Sequence, residues 1–422
     1  MAAMLLLFGL VAWFTVRSTT ANNPQPADAI YDPDPNHLWN RLFVRFYRQH
    51  FADLMPAADK AGAGNRGEGR LLGPDVLDPP LGYHPRFLLD DSAFLRADAL
   101  LDEFLSTNGA ALIHDPVKRA LLQHDLWAVL DVLANADQAA IAPRGSQEYL
   151  GSWHTTSVQE QHRAILEGKL ARAIRSLALS RAEIEGLPDT WSAAITSGVF
   201  TSVLETNRYD FMPADLFLTN SGWLEVSPGP SLTKHIPGTL EHTLLVGGRS
   251  IFRTFVKVPG LDSTTASPAP GFYIPYGTQF LLLREIICLD DGGNMVPTHI
   301  IESFQYRTEI QVGGRERGFA REAELSRAFL FQGKQGGLKP ISHGEPRLQL
   351  YDGLGHLRVD RQGNHGPLLP FPQNCGACHE FPLVMLSNAQ SFSKPSRQAS
   401  IEAVSRWKLN PGQLGTTLKT GK

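Results

Sequence analysis

Cysteine is scarce in this chain, and charged residues of either sign are sparse. Only 3 of its 422 residues are cysteines, too few for a small disulfide-stapled scaffold. Charged residues make up 19%, with 39 basic against 42 acidic side chains and no long run of Lys and Arg. A nucleic-acid partner is therefore not expected. Hydrophobic residues make up 42%, enough to bury a core, which excludes a disordered protein.

Motifs of the common hydrolases and nucleotide-binding proteins are also missing. The chain contains no G-x-S-x-G, no H-E-x-x-H and no P-loop. The sequence therefore predicts no catalytic residue from a motif of this kind.

Only the N-terminus carries a long uncharged apolar run, residues 4–16. This run is shorter than the roughly 20 residues that span a bilayer, and it is typical of a signal-peptide core. Small residues follow, so residues 1–21 are predicted to be a signal peptide cleaved after Ala21. No Lys or Arg precedes the apolar run, which leaves an uncleaved membrane anchor as the alternative. Either way, we expect an exported or periplasmic protein whose only membrane contact is this segment.

The rest of the chain divides into four predicted regions. Residues 22–36 contain four prolines and are predicted to be an extended linker. Apolar residues at helical spacing predict a helical subdomain over 37–195, starting with a helix capped by Asn36. Period-two patterns predict a β-rich subdomain over 196–345. Residues 346–422 are predicted to be a loop-rich, haem-binding C-terminal segment, and the fold class predicted is α+β.

Several local signals give the boundaries of individual elements. Asp115-Pro116 predicts a helix start, and Ser157-x-x-Glu160 and Ser180-x-x-Glu183 predict capping boxes. Residues 290–294 predict a tight turn joining strands 279–289 and 296–311, and 347–350 is predicted to pair with 356–360. Strands are also expected at 216–219, 224–226 and 251–258. Cys288 lies in an apolar run and is expected to be a buried hydrophobe.

One motif carries recognisable chemistry, the sequence Cys-Gly-Ala-Cys-His at residues 375–379. C-x-x-C-H is the pattern of covalent haem attachment. The two thiols can add to the two vinyl groups on one edge of a porphyrin. His379, the next residue, can then bring its imidazole to the iron as the proximal ligand. The sequence therefore predicts one covalent haem c held by Cys375, Cys378 and His379.

Two other uses of this cysteine pair remain open. A disulfide or thiol-redox pair needs no haem, although a thioredoxin-like site would require a βαβ setting that the sequence does not show. A zinc site would require a second pair of Cys or His ligands, which only histidines could complete.

On these five residues the chain resembles the c-type cytochromes. The resemblance implies Cys375 and Cys378 as attachment residues and His379 as the proximal iron ligand, and it implies no particular sixth ligand. In small cytochromes c a Met ligand follows the motif at a long distance. Here the only Met after the motif is Met385, six residues beyond His379, too close to reach the opposite face of the ring.

His365 is the predicted distal ligand of the haem iron. It lies between Asn364 and Gly366-Pro367, which indicates a loop able to fold over the ring. His343 and His356 are the other candidates.

With a distal ligand, the sequence favours a monohaem electron-transfer protein with a redox partner protein. Without one, the open iron site would suit peroxidase-like or small-ligand chemistry, and without haem the chain would be a secreted binding or structural protein with a Cys375–Cys378 disulfide.

Overall fold

The computed structural model describes residues 29–47, 86–89, 91–134, 156–205, 207–228, 250–260, 275–312, 315–341 and 389–397. Within these ranges, helices dominate the first half and a single antiparallel sheet dominates the second. This confirms the predicted α+β class.

The described helices precede the sheet along the chain, apart from one short helix after the fifth strand. We call the helices that end before residue 186 the helical layer. In chain order the described helices are α1 (Leu38–Leu42), continued by a π-helical turn (Phe43–Tyr47), α2 (Arg86–Leu89), α3 (Asp91–Ser106), a 3-10 turn (Gly109–Leu112), α4 (Pro116–Ala134), α5 (Ser157–Ser176), α6 (Arg181–Glu185), α7 (Thr190–Thr196), α8 (Arg327–Phe331) and a second 3-10 turn (Gln335–Gly337).

Side chains at the helix starts explain these boundaries. α4 begins at Pro116, as predicted, and the Asp115 carboxylate accepts a hydrogen bond from the Val117 amide at 2.8 Å. The predicted capping box of Ser180 and Glu183 is confirmed at α6. At α5 the box uses Thr156 with Gln159, one residue earlier than predicted. Both pairs have the same spacing and similar chemistry, so the sequence alone could not decide between the two registers.

α1 begins at Leu38, and its N-cap is His37 and not the predicted Asn36. The His37 ring nitrogen Nδ1 accepts a hydrogen bond from the Trp39 amide at 3.2 Å. Tyr31 lies in the segment predicted to be a linker, yet it is fully buried, with its ring 5.8 Å from Trp39 and 5.7 Å from Phe43. The prolines fix the local backbone, but they do not decide whether an aromatic side chain between them joins the core.

The sheet has seven described strands, and nearly all neighbours in it are consecutive along the chain. Their order across the sheet is β6-β5-β4-β3-β2-β1-β7, and every pairing is antiparallel. The strands are β1 (Trp223–Pro228), β2 (Ser250–Lys257), β3 (Gln279–Leu289), β4 (Met295–Val312), β5 (Arg315–Leu325), β6 (Leu338–Pro340) and β7 (Ala389–Ser393).

The turn between β3 and β4 forms as predicted. The Asp290 carboxylate accepts a hydrogen bond from the Asn294 amide at 2.6 Å, and Gly293 has φ +79, which favours glycine. The predicted strand at 216–219 is wrong, because these residues form turns that pack over the sheet with Leu216 buried. An apolar run this short fits a buried loop as well as a strand.

Two hydrophobic clusters hold the described residues together. One covers a side of the sheet that we call the first face, and it includes Trp223, Phe255, Leu281, Leu283 and Phe304. α7 and the loop residues after it complete this cluster. The other cluster joins the helical layer to the ends of β3 and β4, including Ile286, Cys288 and Val296. The helical layer and the sheet therefore share this second cluster.

Several predictions concern residues outside the described ranges. These are the signal peptide or anchor, residues 1–21, the hairpin of 347–350 with 356–360, and all four predicted haem-site residues. Among the helices that the structure does describe, none is both long enough and apolar enough to cross a bilayer.

Candidate functional site

The four predicted site residues, Cys375, Cys378, His379 and His365, lie within residues 342–388, outside the described residues. The structure does describe both points where this segment joins the fold. It leaves after Ile341, whose amide donates a hydrogen bond to the Glu322 carbonyl at 2.9 Å, and returns at Ala389, the start of β7. The candidate site is therefore built from the residues that fix these two ends.

β7 fixes the returning end by pairing with β1. Glu225 lies opposite Ser393, and Val226 lies opposite Phe392, with a register shift near Pro228. β7 begins ten residues after His379. The backbone that follows the motif is thus tied to the sheet within a short distance along the chain.

Arg397, just after β7, extends this attachment with its guanidinium group. Its Nε and Nη2 atoms donate to the two Asp189 carboxylate oxygens at 2.9 and 2.6 Å. Its Nη1 atom donates to Glu285 at 2.7 Å, and Nη2 also reaches the His299 carbonyl at 3.1 Å. Fork-shaped donation to a carboxylate is the strongest ion-pair geometry that arginine offers.

Arg253 on β2 binds the same region from within the sheet. Its Nε and Nη2 atoms donate to the two Glu225 oxygens at 2.9 and 2.8 Å, and Nη1 lies 3.4 Å from Glu285. Its Nη2 atom also donates to the Ser396 carbonyl. We call these five residues, Arg253, Arg397, Asp189, Glu225 and Glu285, the C-terminal clamp.

Burial and charge together decide the protonation states in the clamp. Burial alone would raise the pKa of Asp189, but hydrogen bonds from Arg397 and the Ser192 amide outweigh it and lower the pKa to about 2. Burial opposes the charge on Arg253, yet Glu225 and Glu285 outweigh that effect and raise its pKa. Asp189 and Arg253 are therefore both charged near neutral pH.

The Phe217 ring makes cation–π contacts with both arginines of the clamp. Its ring lies 5.1 Å from the Arg397 guanidinium carbon and 5.7 Å from that of Arg253. The same ring meets Trp191 edge-on at 5.6 Å and so belongs to the packing of the first face. The clamp thus connects residues 396–397 to the core as well as to the sheet.

A second polar cluster lies between the helical layer and α8. Asp125 on α4 accepts hydrogen bonds from Arg327 Nε at 2.9 Å, from Arg327 Nη2, and from the Tyr31 hydroxyl at 2.6 Å. All three side chains are fully buried. Burial and, to a lesser extent, the neighbouring Asp125 charge raise the pKa of Tyr31 well above its usual value. Burial would raise the pKa of Asp125, but Arg327 outweighs it and holds that pKa low.

His124, next to Asp125, extends this cluster toward the sheet. Its Nε2 atom lies 3.3 Å from Glu302 Oε1, and the same oxygen is 2.8 Å from Arg284 Nη2. The other Glu302 oxygen accepts a hydrogen bond from the Ser250 hydroxyl at 2.6 Å. These side chains are at most 8% exposed, so no substrate reaches them from solvent. We therefore assign both parts of the cluster to holding the helical layer on the sheet.

Neither cluster resembles a metal centre. Among the described residues, no group of three or more His, Cys, Asp or Glu side chains is arranged to hold a metal ion. Cys288 is a free, buried cysteine, and burial raises the pKa of its thiol to about 12. The expectation that Cys288 behaves as a hydrophobe is confirmed.

Sequence reasoning did not find the residues of the clamp. Arg397 is 208 positions from Asp189 and 112 positions from Glu285 along the chain. No local spacing signals such pairs. A hint was available at two positions, because Arg253 and Glu285 place a charge among apolar strand residues, which indicates residues that need a buried partner.

Comparison with known proteins adds no relative. Neither a protein-family model, nor a curated protein, nor a solved structure matches this chain.

Proposed function

We propose that this protein is an exported, single-haem c-type protein that passes electrons to or from a partner protein. The observation that carries the proposal is the C-x-x-C-H sequence at residues 375–379. The described fold supports it in one respect. The segment with the motif is attached to the same sheet at both ends, and its C-terminal end is held by the clamp.

The residues of the motif supply a complete set of attachment groups. The thiols of Cys375 and Cys378 would each add across one vinyl group, with a carbon–sulfur bond formed and the thiol hydrogen transferred to the neighbouring vinyl carbon, so no oxidant would be needed. His379 would supply an imidazole nitrogen to the iron. When bound, the haem supplies a one-electron carrier.

His365 is the proposed second ligand of the iron. A second histidine would leave no open coordination position, which favours electron transfer over small-ligand chemistry. His365→Ala should then convert a low-spin spectrum into a high-spin one, whereas His343→Ala and His356→Ala should leave it unchanged. A high-spin wild type would instead support the haem enzyme with an open iron site.

The first experiment is a pyridine haemochrome spectrum of the full chain, produced in cells with a cytochrome c maturation system. We expect haem absorbance that survives denaturation in the wild type and is lost in Cys375→Ala/Cys378→Ala. Cys288→Ala is the matched control, because it removes the remaining cysteine, which is buried in the core. It should retain the haem.

Each outcome decides between the candidate functions. A colourless, folded wild type would overturn the haem proposal. Thiol titration would then show whether Cys375 and Cys378 form a disulfide, which would favour a secreted binding or structural protein.

Export is tested by mass spectrometry of the mature chain from the periplasmic and membrane fractions. Loss of residues 1–21 supports a cleaved signal, and an intact chain in the membrane fraction supports an anchor.

A further inference from the structure

The side of the sheet opposite the first face has an apolar half whose buried residues belong to neither hydrophobic cluster of the described residues. Directly opposed residues of an antiparallel pair share a face. Leu224, Val256 and Phe280 form one such row across β1, β2 and β3. Val226, Thr254 and Leu282 form the next row. We call this side the second face.

We propose that the second face is the docking surface for residues 342–388, so that the motif at 375–379 lies against the sheet. The position of a haem there rests on the proposed function, whereas the docking of the segment does not.

The ends of the segment provide the first argument. It starts next to β6 at one edge of the sheet and ends at β7 on the other edge. Six strand spacings of about 4.8 Å separate these edges, roughly 29 Å. Ten extended residues cover about that distance. The segment is several times longer, so it has enough chain to cross the sheet and pack on it.

Occupation of the first face provides the second argument. Trp191 and Ala194 of α7 pack there with Phe211, Met212 and Leu216 of the following loop. A chain crossing from β6 to β7 therefore finds that side already filled. The helical layer covers the far end of the sheet around Ile286 and Val296. The remaining route lies across the second face.

Burial on the second face provides the third argument. Leu224, Val226 and Val256 are only 1%, 7% and 0% exposed. None of the three belongs to either hydrophobic cluster formed by the described residues. Phe280 and Leu282 beside them are half-buried. An apolar area of this kind requires a cover of matching chemistry, because apolar surface is favoured away from water.

The sequence of the segment matches this apolar area. Residues 368–371 read Leu-Leu-Pro-Phe, and residues 381–386 read Phe-Pro-Leu-Val-Met-Leu. These two runs lie on either side of the cysteine motif. Docking of both runs on β1, β2 and β3 would place the motif between them, on a surface able to exclude water from a porphyrin edge.

Photo-crosslinking of the full chain tests the docking directly. The photoreactive amino acid p-benzoylphenylalanine in place of Phe280 keeps an aromatic ring at the second face. We expect its crosslinks, mapped by mass spectrometry, to fall on peptides from 342–388. The matched control places the same amino acid at Phe217 on the first face, where crosslinks should fall on α7 and on residues near Arg397.

The crosslinking outcomes separate this proposal from the proposed function. Crosslinks from position 280 to residues 229–249, to 261–274 or to a second copy of the chain would overturn the docking, as would their absence in a folded protein. Crosslinks to 342–388 in a colourless protein would support the docking and overturn the haem. A haem protein without those crosslinks would keep the haem and overturn the docking.

Limited trypsin digestion gives an independent readout with smaller substitutions. Trypsin has cleavage sites within the segment at Arg347, Arg358 and Arg361. Leu282→Lys puts a charge on the second face and should speed cleavage at these sites at least tenfold. Leu218→Lys, at a leucine that is 62% exposed in the loop over the first face, should change it less than twofold. Equal cleavage rates in the two variants and the wild type would overturn the docking.

Discussion

Asp189 illustrates how one side chain ties distant parts of this molecule together. It caps α7 through the Ser192 amide at 3.0 Å and also receives the two-point contact from Arg397. Both roles require the ionised carboxylate. The stability that Asp189 contributes is therefore linked to pH.

The pKa of Asp189 predicts in which direction this linkage acts. Its folded-state pKa of about 2 lies below the ordinary value of 3.8, so its contribution is present above pH 4 and is lost as the pH falls toward 2. Asp189→Asn should lower the melting temperature at pH 7, and the difference from wild type should shrink between pH 4 and pH 2.

Thermal unfolding followed by circular dichroism at several pH values measures this difference. Glu185→Gln is the control, because Glu185 forms an exposed pair with Arg181 at 2.7 Å. Exposed pairs contribute about 0 to 1 kcal/mol, so the control should change little at any pH. A difference for Asp189→Asn that stays constant down to pH 2 would contradict the assigned role.

At the scale of elements, the turn before β6 contains three glycines with a positive φ, and two of them form a useful comparison. Gly333 has φ +64 and Gly336 has φ +61. They differ in what surrounds them. A Cβ atom at Gly336 would lie 2.3 Å from the Thr190 carbonyl oxygen and 2.5 Å from the Ala194 amide nitrogen of α7, whereas a Cβ atom at Gly333 would have nothing within 4 Å.

This contrast gives a matched pair of substitutions. Gly333→Ala should cost about 1 to 2 kcal/mol, the usual penalty for a left-handed alanine. Gly336→Ala adds a backbone clash and should cost about 3 kcal/mol or more, because α7 has to move away from the turn. Urea unfolding of the two variants measures both values. Equal losses would show that α7 does not pack on this turn as described.

The elements differ in how far the sequence predicts them. The turn at 290–294 and the start of α4 are determined by residues within about four positions, and both were predicted. The pairing of β7 with β1 joins residues more than 160 positions apart, and no local pattern encodes it. The haem-site residues remain a prediction, since they lie outside the described residues.

At the scale of the whole molecule, the helical layer shares its hydrophobic core with the sheet. Its cluster includes Ile286, Cys288 and Val296 from the strands, and Asp125 takes its buried cation from α8. A buried carboxylate that loses its partner costs about 3 to 5 kcal/mol. The sequence predicts the helices themselves, but the shared core follows only from the tertiary packing.

A fragment of residues 29–196 should therefore fail to fold independently. We expect helical far-UV dichroism, strong binding of the dye ANS and no cooperative thermal transition, which is the behaviour of a molten globule. The full chain should show little dye binding and a cooperative transition. A fragment with a sharp transition of its own would contradict the shared core.

The position of β7 has a consequence for biosynthesis. β1 is the first strand of the sheet to be made, and one of its two edges pairs with β7, the last strand described. At about 5 to 20 residues per second, the ribosome needs roughly 8 to 32 s to make the chain between them. An unpaired strand edge is a template for aggregation. Any chain that terminates before residue 389 leaves that edge of β1 open, which links premature termination directly to aggregation.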